Sequence, residues 1–164
     1  VMVLPSGFTT TIASIDTFDG PVDEAFPPMS VTIRLTDDLD VSRGDMICRP
    51  HNQPTAGQDI EAMVCWMSES TSLAPRMKLA VKHTTRSARV MVTDLQYRID
   101  VNTLHRDDSA TSLGLNEIGR VSLRCTHPLF FDEYRRNRTT GSIVLVDEVT
   151  NATVAAGMIL GGVR

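Results

Sequence analysis

VTIRLTDDLDVSRGDMICRP, residues 31–50, is the stretch from which the expected architecture of this chain follows. In VTIRL the apolar residues alternate with polar ones, which is the pattern of a strand with one buried and one solvated face. The acidic, turn-rich residues after it break this alternation, and Gly44-Asp45 supplies the backbone freedom of a tight turn. A short apolar run at residues 46–48 follows and stops at Pro50. The stretch therefore predicts a strand that closes one β-barrel, followed by the entrance to a second.

The residues before this stretch are also predicted to form strands. Residues 1–4 and 8–18 are rich in apolar and β-branched side chains, and the Pro-Ser-Gly turn between them predicts a hairpin. Ile12 and Ile15 lie an odd number of positions apart, so we expect a bulge or a strong bend within residues 8–18. About four strands precede Pro50, which is too few for a closed barrel.

An unclosed barrel has an exposed sheet edge, and unpaired edges recruit other strands. We therefore expect residues 1–50 to pair with another copy of the chain or with a separately supplied N-terminal piece. The polar residues 51–58, HNQPTAGQ, have the composition of a linker. They place a domain boundary between residues 1–52 and residues 53–164.

The second part of the chain carries denser strand signals. Residues 63–67 are apolar on both alternating faces, which predicts a strand with something packed over its outside. The alternation in residues 88–100 changes phase near Thr93-Asp94, which predicts a bulge there. In GRVSLRCTHP, residues 119–128, strict alternation returns.

The end of the chain combines a possible helix with a hairpin. Phe130, Phe131 and Tyr134 lie at helical spacing behind Pro128, so residues 128–137 are the one candidate for a helical turn. SIVLVD and TVAAGMIL flank a short turn and predict a hairpin. About six strands then form a small closed antiparallel barrel. The predicted class is all-β, with two antiparallel β-barrels of which the first is incomplete.

Composition limits the function classes. The 164 residues are 41% hydrophobic and carry a net charge of -4, which argues against general affinity for nucleic-acid backbones. No apolar run approaches the roughly 20 residues of a membrane-spanning helix, and no signal peptide is recognisable at the start. We therefore expect a cytoplasmic protein without membrane contact. The three cysteines are widely spaced in apolar runs and are expected to be buried, reduced thiols.

Motifs for catalysis are absent from the sequence. There is no G-x-x-x-x-G-K-[ST] loop for phosphates, no G-x-S-x-G elbow and no H-E-x-x-H pair. His127 is in phase with inward-facing residues, so we expect a hydrogen-bonded structural histidine. The aspartates of residues 37–45 do not have the spacing of a calcium loop. We expect no catalytic, cofactor-binding or metal-binding residue in this chain.

Two features are candidates for contact with a partner. Arg135, Arg136 and Arg138 form the densest basic cluster and suit an anion or an acidic partner, although an exposed loop without a ligand is the alternative. Trp66 is the single tryptophan and lies between methionines, which make an adaptable contact surface if exposed. The alternative for Trp66 is a place in the core.

Several segments resemble one known family in the order in which that family has them. The chain resembles the GTPase subunit of bacterial sulfate adenylyltransferase (ATP sulfurylase), a relative of elongation factor Tu. The segments are LPSGFTTTIASIDTFDG (4–20), LTDDLDVSRGDMI (35–47), VCWM (64–67), YRIDVNTL (97–104), LNEIGRVSL (115–123), HPLFFDEY (127–134) and NATVAAGMI (151–159).

This resemblance implies the latter part of the family's second domain, residues 1–52, followed by its third domain, residues 53–164. It implies a non-catalytic part of a subunit that couples GTP hydrolysis to the formation of adenylyl sulfate from ATP and sulfate. The GTP-binding domain, with GTP and magnesium, and the catalytic adenylyltransferase subunit are the implied partners. In some members the chain continues into an adenylylsulfate kinase domain. The alternative function is a nucleic-acid-binding barrel, because related translation factors hold tRNA; the 5% aromatic content weighs against it.

Overall fold

The computed structural model describes residues 1–162 of the chain, and these residues contain strands and no helix. The chain divides into two compact units, Val1–Gln53, called unit 1, and Pro54–Arg164, called unit 2. The strands are β1 (Met2–Leu4), β2 (Phe8–Thr9), β3 (Ile12–Thr17), β4 (Gly20–Pro21), β5 (Thr32–Leu35), β6 (Met46–Cys48), β7 (Thr55–Trp66), β8 (Lys78–His83), β9 (Arg86–Ile99), β10 (Arg106–Asp107), β11 (Ile118–Phe131), β12 (Ser142–Val146) and β13 (Thr153–Gly162). The predicted all-β class is confirmed.

Unit 1 consists of two open, three-stranded antiparallel sheets, in the orders β2-β1-β6 and β4-β3-β5. The predicted hairpin at the start is confirmed, since Met2 lies opposite Thr9. The register between β3 and β5 shifts between Ile12 and Ser14, which confirms the expected bulge. Neither sheet closes on itself, so both keep open edges, as the count of strands predicted.

Two expectations for unit 1 were wrong. Residues 8–18 do not form one strand, because β2 and β3 belong to different sheets and the chain crosses between them. In β5 the alternation does not produce a buried face: Ile33 is 38% exposed, and Leu35 is half-buried. An apolar side chain in a three-stranded sheet stays exposed wherever nothing packs over its face.

Unit 2 contains a closed antiparallel barrel of six strands. Around the barrel the order is β9-β11-β7-β13-β12-β8, and pairing of β8 with β9 closes it. β10 extends the end of β9 as a short hairpin. Outside the strands, Leu73 and Leu113 form a backbone bridge between two loops, and both side chains are fully buried. The barrel therefore confirms the predicted closed architecture.

The barrel interior is filled by alternating side chains from all six strands. β7 shows the pattern most clearly, because Ile60, Ala62, Val64 and Trp66 are each 0% exposed. In β9 the pairing with β11 skips Thr93, which confirms the predicted bulge. The extra residue lets both Val92 before the bulge and Leu95 after it point into the barrel. The inward residues of the six strands thus form one continuous hydrophobic cluster.

Three expectations for unit 2 need correction. Residues 51–58 are not linker throughout, since β7 already begins at Thr55. Residues 128–137 form no helix: β11 continues to Phe131, because Leu129, Phe130 and Phe131 pair with the start of β7. His127 is exposed rather than inward, since it lies in the register shift between Arg124 and Leu129, where β11 does not pair with β7.

The cysteines are all free thiols, as expected, but they differ in burial. Cys125 points into the barrel and is buried, and this burial raises the pKa of its thiol to about 11. Cys48 and Cys65 are only half-buried. Within residues 1–162 the structure has no helix that is long and apolar enough to cross a membrane.

Candidate functional site

The outside of the barrel carries an apolar patch that crosses the neighbouring strands β7, β13 and β12. On β7 every second side chain is fully buried, which leaves Met63 and Cys65 pointing outward. Met158 lies opposite Met63, and Ala156 lies opposite Cys65 and beside Val144. We call these five residues the methionine face. Met158 is 40% exposed, Ala156 is exposed and the other three are half-buried, so the patch is accessible on the barrel surface.

One border of the methionine face is a network of polar side chains on β7, β9 and β11. Arg120 lies opposite Met63 and forms an ion pair with Glu61. Gln96 Nε2 donates hydrogen bonds to Glu61 Oε1 at 3.0 Å and to Ser122 Oγ at 2.9 Å. The Arg120 guanidinium holds the pKa of Glu61 below its usual value. This border is therefore fixed in position and close to electrically neutral.

The other border is a turn, residues 132–141, which we call the arginine turn. Its backbone is tied to β13 at both ends: Tyr134 N donates to Ile159 O at 2.9 Å, and Ile159 N donates to Gly141 O at 2.7 Å. Within the turn, Asn137 Oδ1 accepts hydrogen bonds from two backbone amides, and Gly141 N donates to Asn137 O at 2.8 Å. A Cβ at Gly141 would overlap the backbone of Tyr134. The turn therefore needs glycine there to close.

A buried histidine forms a hydrogen bond to the backbone of the arginine turn. His83 is 1% exposed, and its Nε2 lies 2.7 Å from Thr140 O. A carbonyl oxygen can only accept, so Nε2 carries the proton and donates. Burial lowers the pKa of His83, which favours the neutral ring. The β8–β9 hairpin therefore holds the end of the arginine turn in place.

Between the two borders lies a groove of about 350 Å³. Arg120 and Met158 line it from the barrel, and Glu133, Tyr134 and Arg135 line it from the arginine turn. Its lining is partly apolar and partly charged, which is typical of surfaces that bind polypeptides. Within residues 1–162, no three side chains among His, Cys, Asp and Glu are grouped to hold a metal ion.

The residues predicted from sequence fall in two separate places. Arg135, Arg136 and Arg138 all lie on the arginine turn and are exposed. Arg135 Nε pairs with Glu133 Oε2 at 2.7 Å, whereas Arg136 and Arg138 have no ion pair among the described residues. Trp66 belongs to the core: it is 0% exposed, and its Nε1 donates to Thr71 O at 2.6 Å. This burial corrects its assignment as a contact residue.

Sequence reasoning missed the methionine face. Met158 is exposed whereas the next residue of β13, Ile159, is buried, but Gly157 before it is half-buried, so the alternation along this strand is incomplete. A pattern of period two shows that two faces exist, but it does not show which one points into a barrel. The pairing of Met63 with Met158 joins residues 95 positions apart, and no local signal predicts it.

A second groove, of about 390 Å³, lies elsewhere on the barrel and is flanked by the cations Lys78, Arg89 and Arg124. Two of these charges are already paired. Arg89 binds Glu148 at 2.8 Å, and Arg124 binds Asp59 with two hydrogen bonds of 2.6 and 2.9 Å. This groove is therefore a weaker candidate for binding a charged partner.

Comparison with known proteins places the barrel in a family. Residues 59–160 match the family model described as GTP-eEF1A C-terminal domain-like. A solved structure of sup35 complexed with GDP is similar, with a TM-score of 0.87 and 18% identity, over 100% of this chain and 40% of that one. At that identity the likeness shows the fold alone.

Curated relatives are much more similar in sequence. A Bifunctional enzyme CysN/CysC of Mycobacterium tuberculosis is 59% identical over 160 residues, which is 98% of this chain and 26% of the relative. A Sulfate adenylyltransferase subunit 1 of Bacteroides fragilis is 45% identical over 164 residues, all of this chain and 34% of the relative. This chain thus spans about a quarter to a third of their length, and the resemblance inferred from sequence is confirmed.

Proposed function

Because this chain belongs to the GTP-eEF1A C-terminal domain-like family, we propose that it is the non-catalytic β-barrel part of a GTP-hydrolysing sulfate adenylyltransferase subunit. The observation that carries the proposal is the methionine face, an apolar patch with charged borders on the outside of a closed barrel. Such a patch is typical of a docking surface and lacks the groups of an active site. High identity to sulfate adenylyltransferase relatives supports the choice of parent protein.

In this proposal the longer protein forms adenylyl sulfate from ATP and sulfate, with GTP hydrolysis as the driving reaction, in cytoplasmic sulfate assimilation and cysteine synthesis. This chain has no phosphate-binding loop, so its residues do not fit GTP and magnesium, which belong to the GTP-binding domain of the longer protein. The catalytic adenylyltransferase subunit is the second partner. One relative is named Bifunctional enzyme CysN/CysC, and in this proposal the second part of such a fused form is an adenylylsulfate kinase domain.

The barrel acts as a rigid body in the coupling. A closed, fully packed core moves as a unit, so a change of nucleotide state elsewhere can move the whole docking surface. Coupling then depends on contacts that differ between the nucleotide states. The barrel itself performs no chemical step.

A chimera tests this proposal. In the Mycobacterium tuberculosis relative, this chain replaces the matching 160 residues, and GTP-dependent adenylyl sulfate synthesis is measured with the catalytic subunit. We expect the chimera to retain coupling, a version without these residues to lose it while still binding GTP, and the isolated chain to be inactive. GTP hydrolysis by the isolated chain, or full coupling without it, would contradict the proposal.

The open sheets of unit 1 support a further partner contact. β2, β4, β5 and β6 are edge strands, and such edges pair with strands from elsewhere. In this proposal they pair with strands of the longer protein or with a second copy of the chain. Analytical ultracentrifugation of the isolated chain tests pairing between two copies, which would appear as dimers whose fraction rises with concentration.

The alternative, a nucleic-acid-binding barrel, has less support. Its best site is the groove beside Arg89 and Arg124, where both charges are already neutralised by carboxylates. Backbone binding must weaken steeply with salt, so filter binding to tRNA at rising salt measures this function directly. We expect no salt-dependent retention.

A further inference from the structure

We propose that the methionine face and the arginine turn together form the docking site for an acidic polypeptide segment with an apolar anchor, supplied by the partner subunit. This inference rests on the proposed function and identifies the surface that the barrel uses and the chemistry of what it binds.

The first argument is the shape of the apolar area. Met63 and Met158 face each other across two strands, and the small residue Ala156 leaves the surface beside them flat. Methionine side chains are flexible and polarisable, so they adapt to an aliphatic or aromatic anchor. The groove of about 350 Å³ next to Met158 has room for one such side chain. The centre of the site is therefore suited to an apolar anchor.

The second argument is the charge around this centre. The nearby carboxylates already have partners: Glu61 pairs with Arg120, and Glu133 pairs with Arg135. A third carboxylate, on the arginine turn, accepts the hydroxyl of a threonine in the same turn. This hydroxyl is neutral, so Asp132 keeps its negative charge, but the cations left unpaired among the described residues outnumber it and the net charge available at the border is positive.

Three exposed cations supply this positive charge. Arg136 and Arg138 have no ion pair among the described residues, and neither has Lys82, which lies opposite Val144 at the far edge of the face. Unpaired cations around an apolar centre complement an occupant that carries carboxylates around an apolar side chain. The occupant is therefore acidic.

The third argument is that the site is held ready for binding. The arginine turn is bonded to β13 at both ends, and His83 fixes it through Thr140. On the opposite side Glu61 pairs with Arg120, and Gln96 in turn donates to Glu61. Because these side chains and the turn are already ordered, binding loses little conformational entropy, and more of the free energy of the contacts appears as affinity.

Two sets of variants of the chimera test the inference. Met158→Glu places a carboxylate at the centre of the face, and Ala156→Glu does the same beside it. The double variant Arg136→Glu with Arg138→Glu reverses the charge of the border. Binding of each to the catalytic adenylyltransferase subunit is measured by calorimetry at two salt concentrations, after circular dichroism has verified the fold.

We expect Met158→Glu to weaken binding by about 30-fold or more, as loss of a central anchor does. The double arginine variant is expected to weaken binding by about 10-fold and to reduce its salt dependence. The matched controls are Val149→Glu, an apolar side chain 89% exposed in another turn, and Arg89→Glu, an exposed arginine elsewhere on the barrel. Both controls should bind within about twofold of the unmodified chimera.

Zero-length carbodiimide cross-linking identifies the occupant independently. The expected product joins Lys82 to a glutamate or aspartate of the catalytic subunit. A product joining Lys82 to residues 1–53 of the same chain overturns the inference, because unit 1 then covers the face.

The outcomes separate the two proposals. If the chimera couples GTP hydrolysis to synthesis and both glutamate variants on the face bind normally, the inference is overturned and the proposed function stands. If the unmodified chimera neither binds the catalytic subunit nor couples, the proposed function fails, and the inference falls with it.

Discussion

Unit 1 and unit 2 are built from the same kind of alternating strand but bury very different amounts of side chain. In unit 2 the strands run up to 14 residues and enclose a core of fully buried residues. Within residues 1–53, all of which the structure describes, Val3 is the one hydrophobic side chain that is buried. Phe18, in contrast, is 104% exposed. Alternation produces a face, and only closure or a second layer covers it.

This difference matters because burial of apolar surface is the main favourable contribution to folding. A two- or three-stranded sheet without a covered face is marginal in water. The stability of this chain should therefore reside in unit 2, with unit 1 dependent on strands from the longer protein or from another copy. The experiments below test that division, beginning with the largest expected effect.

Hydrogen exchange on the full chain should show the contrast most strongly. Amides of β7 are expected to exchange only through global unfolding, whereas amides of β3 exchange through local opening. We expect protection factors to differ by about 1,000-fold or more, as an opening free energy several kcal/mol apart implies. Equal protection in both strands, measured by mass spectrometry or NMR, would show that unit 1 is a stable domain in its own right.

The same substitution, phenylalanine to alanine, should destabilise unit 2 strongly and unit 1 hardly at all. Phe131 is 1% exposed and packs in the barrel core, so Phe131→Ala is expected to lower the free energy of unfolding by about 3–5 kcal/mol. Phe18→Ala removes the same ring from a fully exposed position and should change it by less than about 0.5 kcal/mol. Urea unfolding followed by the fluorescence of Trp66 measures the stability of unit 2, where this tryptophan lies in the core, and hydrogen exchange of β3 measures that of unit 1.

A matched pair of glycines tests how tightly the barrel wall is packed. A Cβ on Gly119 would lie 2.8 Å from both Leu113 Cδ2 and Tyr97 O. Gly119→Ala is therefore expected to cost about 1–3 kcal/mol through overpacking. Gly162→Ala is the control, because its Cβ would meet nothing closer than Asp59 O at 3.6 Å. A neutral Gly119→Ala would mean that the wall can adjust.

The smallest effect is a dependence of unit 2 stability on pH. Burial lowers the pKa of His83 below its ordinary value of 6.5, so the unfolded state binds the proton first. The contribution of the neutral ring is present above pH 6.5 and is lost as the pH falls through that value towards the lower folded pKa. Urea unfolding at pH 7.5 and 5.5 should show this loss.

His83→Asn removes the titrating ring and should flatten the pH dependence between pH 7.5 and 5.5. The exposed His127→Asn is the control and should keep the unmodified behaviour. The carboxylates whose pKa is lowered, such as Glu61, lose their contribution only at more acidic pH. An unchanged slope in His83→Asn would contradict the assigned role of the buried ring.

Sequence reasoning succeeded where the local period carries the information. The phase change in residues 88–100 predicted the bulge at Thr93, and the alternation noted in residues 119–128 agrees with the full burial of Val121 and Leu123. Each depends on neighbours one or two positions away. The same reasoning failed for residues 128–137, where aromatic spacing suggested a helix although pairing with β7 keeps the chain extended.

The candidate site was only partly predictable for the same reason. Arg135, Arg136 and Arg138 stand out as a basic cluster in the sequence, and the structure places them together on one exposed turn. Trp66 was misplaced because residues 63–67 are apolar at every position, so the sequence does not show which of them point inward. Met158 was missed because its partner Met63 lies far away in sequence.

The sequence by itself determined the all-β class, the positions of most barrel strands and the family, because period-two alternation, turn residues and motif order are local properties of the chain. Which face of each strand became interior, and which arginines were left without a carboxylate, was settled only when the barrel closed. Closure joins strands up to about 100 residues apart, as β7 and β13 show, and burial is a property of that joined surface rather than of any single segment.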